Sequence, residues 1–503
     1  MQVNEQGGAL LTSGPPGSRG FFPSIGRALA GAWAGARRFF LEFAHALRDG
    51  DAWVRLSLLV WGAGYFARRQ YARGALVTLL QAFLFIFYPT VLWPYLTRFD
   101  TLGTVKRASV YNPATGRNEV NDYDHSFQIL LFGLIAILVL LVTLVLWMRN
   151  VVAVRRVHAD WQAGRHVNTF RDDLHDHLNR KFHTTLLSLP VLGITLFTVV
   201  PLLVMILIAF TNYDRQHMVP TNLFTWVGLA NFRALFTSTT TATFGYSFAR
   251  VLGWTLLWAF AATFTNYILG ILLAMFINNR KTRLKRLWRT FFMVSIAVPQ
   301  FVSLLLVRNF FANTGIVNTL AANIGLTGLL KQLGILPVTA AYIPFLTDPT
   351  WAKVMIILIN VWIGIPYLML IATGILMNIP QDLLESARID GANAWHSFRS
   401  ITMPYILFVT GPYLVTSIVH NINNFNVIYL LTNDVYVTKD QLLANSNAQE
   451  IDLLVTWLYR LTQNYNNFKM ASVLGILIFL ISAVFTVTAF RIMLRGDREE
   501  RFQ

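Results

Sequence analysis

The run FQILLFGLIAILVLLVTLVLW at 127–147 has only Thr143 as a polar residue beyond Gln128. At about 1.5 Å of rise per residue it is long enough to cross a hydrocarbon core, which takes roughly 20 apolar residues. Such a segment must satisfy its own backbone polar groups, and a helix does so. With seven further apolar segments of similar length, the expected spans are 75–96, 127–148, 186–210, 250–277, 290–311, 352–376, 404–430 and 469–491. The stretch 53–66 is shorter and carries Arg55, so it reads as an interfacial or partly inserted segment. Composition agrees, with 55% hydrophobic and 13% charged residues, against about a quarter charged in soluble domains. The expected fold is all-α, a polytopic helical membrane protein of about eight transmembrane helices.

A formal net charge of +17 could suggest nucleic acid, but its distribution argues for membrane topology. Of 41 Lys and Arg, 28 fall on the side of the spans that holds both termini. They group near span ends as Arg37-Arg38, Arg68-Arg69, Arg155-Arg156 and RKTRLKR at 280–286. The positive-inside rule then puts both termini in the cytoplasm, and the basic runs serve topology and contact with anionic membrane lipids. Cysteine is absent, which excludes disulfides and thiolate chemistry. The first fifty residues combine a Gly-Ser-Pro-rich leader with an Arg-bearing amphipathic piece and show no removable signal peptide. Between the first two spans, YNPATGRNEVNDYD at 111–124 is turn-rich and reads as a small outer excursion.

The connector 149–184 carries His158, His166, His175, His177 and His183 beside Asp172, Asp173 and Asp176. Such a cluster suits a metal. The alternation with Arg171, Arg180 and Lys181 suits a solvated helix, and this is the reading adopted, with no metal expected.

The loop between the spans at 352–376 and 404–430 reads NIPQDLLESARIDGANAWHSFRSITMPYI from 378 to 406. Pro380 opens a helix, Asp382 and Glu385 suit its positive end, and Leu384, Ala387 and Gly391 share a face. A second short helix through Trp395 and Phe398 leads to Pro404. From pattern alone this is either a docking element or an amphipathic helix on the bilayer.

Glu385-Ser386-Ala387, then Gly391, then Ile401, Met403 and Pro404 resemble the coupling motif of ABC importer permeases, with Ser386 for Ala and Met403 for Leu as departures. The resemblance implies that Glu385, Ser386, Ala387, Asp390, Gly391, Ala392 and Pro404 belong to a loop that inserts into a separate ATPase subunit. NVWIGIPYLML (360–370), NNFNVIYLLTN (423–433) and DLLVTWLYRLT (452–462) are similar to the larger membrane subunit of the maltose and maltodextrin branch. GAGYFARRQYARGALVTLL (62–80) resembles oligosaccharide permeases of Gram-positive bacteria. The large folded insertion of the maltose system has no equivalent here. The implied organisation is a leader and interfacial segment to residue 74, two accessory spans with a connector over 75–184, a six-helix permease core over 185–492 with its coupling loop at 378–404, and a tail over 493–503.

Amides inside spans are costly and turn to the bundle interior. Asn360, Gly364 and Tyr367 share one helical face, and Ser417, Asn421 and Asn424 repeat that spacing in the next span. Asn360 and Asn421 lie at one depth, about 24 and 25 Å from their cytoplasmic span ends. The rows could bind a sugar, whose hydroxyls match amides and whose apolar faces match rings. They could equally hold helices together. The resemblance implies that these six, with Ile363 and His420, line a sugar site, although the position of His420 is apolar and aromatic in the maltose permease.

The expected function is thus the permease subunit of an ATP-driven oligosaccharide importer in the bacterial cytoplasmic membrane. The resemblance implies an ATPase dimer holding ATP and Mg, a second related permease and an extracytoplasmic sugar-binding protein as partners. An ion-coupled sugar carrier is the alternative, but the six C-terminal spans hold no carboxylate. A membrane enzyme is disfavoured because no HExxH, GxSxG or P-loop pattern occurs.

Overall fold

A computed structural model describes residues 21–237, 244–279, 281–433 and 435–494. The Gly-Ser-Pro-rich leader to residue 20 and the tail from 495 lie outside the described residues. Seven helices are long and apolar enough to cross a membrane, or eight if one bent pair counts as a single span. In chain order the helices used below are α1 (Phe21–Asp49), α2 (Tyr71–Leu96), α3 (Ser126–Gln162), α4 (Phe170–Leu178), α5 (Phe182–Ile208), α6 (Phe244–Asn278), α7 (Lys285–Ala297), α8 (Gln300–Phe310), α9 (Pro349–Met377), α10 (Gln381–Ile389), α11 (Met403–Ile422), α12 (Phe425–Thr432) and α13 (Phe468–Leu494). The turn-rich segment between α2 and α3 folds as an antiparallel hairpin, β1 (Ser109–Asn112) with β2 (Arg117–Val120).

The span expected at 290–311 is corrected. α7 and α8 meet at 93°. The residue before a proline is pushed out of the helical region, and Val298 accordingly sits extended at φ −77, ψ 125. Pro299 then starts α8 without an N–H to offer α7. The span expected at 404–430 is also interrupted. α11 stops at Ile422, and Asn424 accepts from Val427 N at 3.3 Å to open α12.

Packing divides the described chain into two compact units. One takes the described parts of 1–86, 140–185 and 488–503. Its small core is Ala46, Val54, Tyr65, Val151 and Val154. The interfacial stretch is two short helices, Ala52–Leu56 and Ala63–Phe66. Asp51 caps the first and pairs with the buried Arg68 at 2.9 Å. In the His-rich connector, α4 starts with a capping box between Thr169 and Asp172. Asp173 faces Arg73 at 3.4 Å, and His166 lies 3.0 Å from Asp172. Thus the acidic residues take partners outside their own helix face as well as the cap. Among the described residues, no three His, Asp or Glu converge as metal ligands.

The other unit takes 87–139 and 186–487. Its central helix is α6, which contributes Trp254 and Trp258 to one apolar cluster, Val251 and Ala259 to a second, and Tyr267, Ile271 and Ala274 to a third. Without a hydrophobic drive between helices in lipid, small residues allow the close backbone approach that packing needs. Gly270 does so here, since a Cβ on it would lie 2.6 Å from Leu368 Cβ of α9.

Candidate functional site

The two amide rows do not simply face each other, because α6 receives both. A Cβ on Gly364 would lie 2.3 Å from Asn266 Nδ2 of α6. Asn421 donates from Nδ2 to Thr263 Oγ1 at 2.9 Å, and its carbonyl accepts from Trp258 Nε1 at 3.1 Å. Asn424 donates to Asn421 Oδ1 at 3.3 Å while capping α12. Asn421 and Asn424 are therefore buried and engaged in joining α11, α12 and α6.

Other polar groups in the same region remain open. Asn360 Nδ2 and Asn266 Oδ1 are buried without a hydrogen-bond partner among the described residues. A buried amide in this condition costs about 1–3 kcal/mol until a partner arrives. Tyr367 is 51% exposed, with its ring centroid 6.3 Å from that of Tyr413. Ser417 is half-buried and His420 is exposed.

Tyr367 and Ile363 open onto a cavity of about 320 Å³ at the α7–α8 corner, together with Trp362, Ser295, Gln300 and Ser303. A broken helix is tolerated at membrane depth where it lines a cavity or is covered by protein. The corner thus brings two rings, two hydroxyls and an amide to one small space. Sequence reasoning did not single out Ser295, Gln300, Ser303, Trp362, Thr263 or Asn266. The signal was present as Pro299-Gln300 inside an apolar run and as Asn266 inside another.

The loop 378–404 forms the helix–Gly–helix read from sequence. α10 ends in a turn where Asp390 N donates to Ser386 O at 2.9 Å and Ala392 N to Ala387 O at 2.8 Å. Gly391 closes it at φ +81, a left-handed conformation that side chains resist. Asn393 then caps Ala394–Ser397 through His396 N at 2.8 Å. Glu385, Ser386, Asp390 and Gly391 are exposed, and Ala387 and Ala392 are half-buried. Leu383, Ile389 and Trp395 are 46%, 86% and 67% exposed on this otherwise polar loop. Pro404 lies in the first turn of α11.

The polar loops at the other end of α9 and α13 are tied by ion pairs. Asp348 caps α9 and meets Lys439 at 2.9 Å. Asp214 meets Lys469 Nζ at 2.6 Å and His217 Nδ1 at 2.8 Å. Burial alone would raise the Asp214 carboxyl, but these hydrogen bonds outweigh it and hold it below the usual value.

Comparison with known proteins adds the family. Residues 266–498 match the model described as the binding-protein-dependent transport system inner membrane component. The maltodextrin transport system permease protein MdxF of Bacillus subtilis is 33% identical over 89% of this chain and 97% of its own length. The galactooligosaccharides transport system permease protein GanP of the same organism is 31% identical over 84% and 94%. A crystal structure of a bacterial ABC transporter involved in the import of the acidic polysaccharide alginate shares the fold, with a TM-score of 0.50 at 23% identity over 65% of this chain and 99% of that one. The chain therefore belongs to the inner membrane components of binding-protein-dependent transport systems: it is a multi-pass permease subunit of an ABC importer for sugars, a transport component rather than an enzyme or an ion-coupled carrier.

Proposed function

We propose that the cargo is a maltose- or maltodextrin-type oligosaccharide, received at the α7–α8 corner against Tyr367, Trp362 and Ile363. The observation that carries the reading is this small space, where rings and neutral hydrogen-bonding groups meet on the helix, α9, that also carries the unpartnered amide of Asn360 and packs Gly364 against that of Asn266. A neutral sugar presents hydroxyls to amides and an apolar face to rings, and needs no charged counterpart. Gly364, Ser417, His420, Asn421 and Asn424 complete the proposed sugar-lining set, the last two by holding the wall in place. MdxF, whose name specifies maltodextrin, supports this substrate class.

In this reading the importer core is 185–492, with two accessory spans and a connector at 75–184. Both termini lie in the cytoplasm of a bacterial cell. Residues 385–392 dock in a cleft of an ATPase dimer that holds ATP and Mg²⁺. A second, related permease completes the pathway, and an extracytoplasmic binding protein delivers sugar. Closure of the ATPase pair moves α10 and, through Pro404, α11. The sugar cavity then opens to the outside, and hydrolysis resets it inward.

The test is purification of the tagged chain from its native host in mild detergent, beside Gly391→Asp, with labelled maltotriose uptake measured in both strains. Recovery of an ATPase and a second permease with the wild type, their weakening in the variant and loss of uptake support the reading. Normal uptake by an inserted variant refutes the coupling assignment, and maltotriose uptake that galacto-oligosaccharides outcompete refutes the substrate.

A further inference from the structure

A feature that the transport reading leaves unused is a cavity of about 720 Å³ in the smaller unit. Its position follows from three helix ends. Arg73 lies in the first turn of α2, Arg149 follows the apolar run of α3, and Lys181 directly precedes α5. All three line the cavity, joined by Arg156 about two turns further along α3 than Arg149. Residues at the ends of three membrane-crossing helices share one boundary between hydrocarbon and water. The cavity sits at that boundary.

Its walls are divided by chemistry. Val77 and Leu80 of α2 and Val145 and Leu146 of α3 form an apolar side. Leu80, Val145 and Leu146 are exposed, so this side continues onto the lipid-facing surface. The other side carries the four cations. Arg73 lies over the Tyr65 ring at 4.8 Å and is answered by Asp173 at 3.4 Å. Arg156 is answered by Glu42 at 2.5 Å. Arg149 and Lys181 have no carboxylate partner among the described residues. The cavity therefore carries two unanswered positive charges above an apolar floor.

From this division we infer that the cavity binds the phosphodiester headgroup of an anionic phospholipid, with its acyl chains running along Leu80, Val145 and Leu146. A phosphodiester brings the charge that Arg149 and Lys181 lack, and arginine donates to two phosphate oxygens at once. Along α3 the distance from Val145 to Arg156 is about 16 Å at 1.5 Å per residue, enough for a headgroup and the first methylenes. Inorganic phosphate shares the charge but would leave the apolar wall uncovered. The site depends on the membrane boundary alone. Its leaflet, the cytoplasmic one, rests on the topology proposed above. The occupied site would brace α2, α3 and α5 against one another at the base of the accessory spans.

The test is binding of radiolabelled dioctanoyl phosphatidylglycerol to the full importer complex in a neutral detergent. Competitors are dioctanoyl phosphatidylcholine and a large excess of inorganic phosphate. The variants are Arg149→Ala, Lys181→Ala and the pair together, and the control is Arg37→Ala with Arg38→Ala, which removes equal charge elsewhere. Each cation near a lipid headgroup is worth about 1 kcal/mol, or about five-fold in affinity. The expected result is a loss of about five-fold in each single variant and about twenty-five-fold in the pair, with the control near wild type and neither competitor effective. An equal loss in the control would reduce the effect to general basicity and overturn the site. Displacement by inorganic phosphate would assign it to a free anion and overturn the lipid. Equal affinity for phosphatidylcholine would overturn the role of charge.

Discussion

Replacing Asn421 by Ala separates the two roles open to an amide in this bundle. Asn421 is 5% exposed, and its side chain makes two contacts: a donation to Thr263 Oγ1 at 2.9 Å and an acceptance from Asn424 at 3.3 Å. Interhelical hydrogen bonds in membranes average about 0.6 kcal/mol and reach about 1.7. Losing both costs about 1–3 kcal/mol, because Asn424 Nδ2 also loses its acceptor while Asn424 goes on capping α12. The Trp258 bond goes to the backbone of Asn421 and survives the change. The readout is the thermal midpoint of the detergent-solubilised complex, combined in a double-mutant cycle with Thr263→Val. A shared bond gives a coupling of about 0.5 kcal/mol or more between the two substitutions, whereas independent sites add. The reasoning is refuted if the midpoint stays unchanged, the substitutions add, and sugar affinity alone collapses. Asn421 would then be a direct ligand whose bonds to α6 contribute little.

Tyr367→Ala should behave in the opposite way: its exposed ring leaves no buried hole, so the midpoint holds while KM for maltotriose uptake rises about five- to ten-fold, and Tyr367→Trp restores it. Gly391→Ala adds only a methyl with no atom within 4 Å but forces a side chain to φ +81, at about 1–2 kcal/mol. Sugar-stimulated ATP hydrolysis by the complex should fall with insertion unaffected, and full stimulation would show that the turn's shape does not matter. The depressed Asp214 carboxyl binds fewer protons folded than unfolded, so its contribution is complete above the ordinary Asp value of about 3.9 and is lost as pH falls through its lower folded value. Thermal midpoints should show an acid-limb loss below about pH 4 that Asp214→Asn removes; an identical acid limb in that variant would dissociate the Lys469 pair from stability.

The spans were legible because a membrane helix needs length and apolarity, both properties of a single segment. The coupling loop was legible for a related reason. Its turn is local, and Gly391 sits where the chain needs a positive φ. The corner at Val298-Pro299 was missed although a proline marked it. Hydropathy over 290–311 averages across a bend, and prolines within continuous helices, such as Pro366 in α9, give the same local signal. What separates the two cases is tertiary: neighbouring helices supply cover for freed backbone groups in one place and a cavity in the other. Periodicity likewise put Asn360 and Asn421 on inward faces, but a one-helix pattern cannot identify what stands opposite. The answer was a third helix, α6, whose Thr263 and Asn266 lie in a sequence that reads as unremarkable membrane apolarity.

That arrangement has a consequence for how the permease can discriminate its cargo. No Asp or Glu occurs within α5, α6, α9, α11, α12 or α13. A cationic cargo therefore finds no fixed acidic partner in these spans, and at the neutral α7–α8 corner selection rests on shape, stacking and neutral hydrogen bonds. Such contacts discriminate strongly only when a missing hydroxyl leaves a buried polar group unpaired. Asn360 and Asn266 are buried groups in that condition. Asn421, already bonded on both sides, has little left to offer a sugar. Selectivity by hydroxyl pattern should accordingly follow Asn360→Ala and Asn266→Ala, while Asn421→Ala lowers stability and uptake for every sugar alike. A competition series with deoxy-maltotrioses would distinguish these outcomes, and discrimination lost only in the Asn421 variant would reverse the assignment.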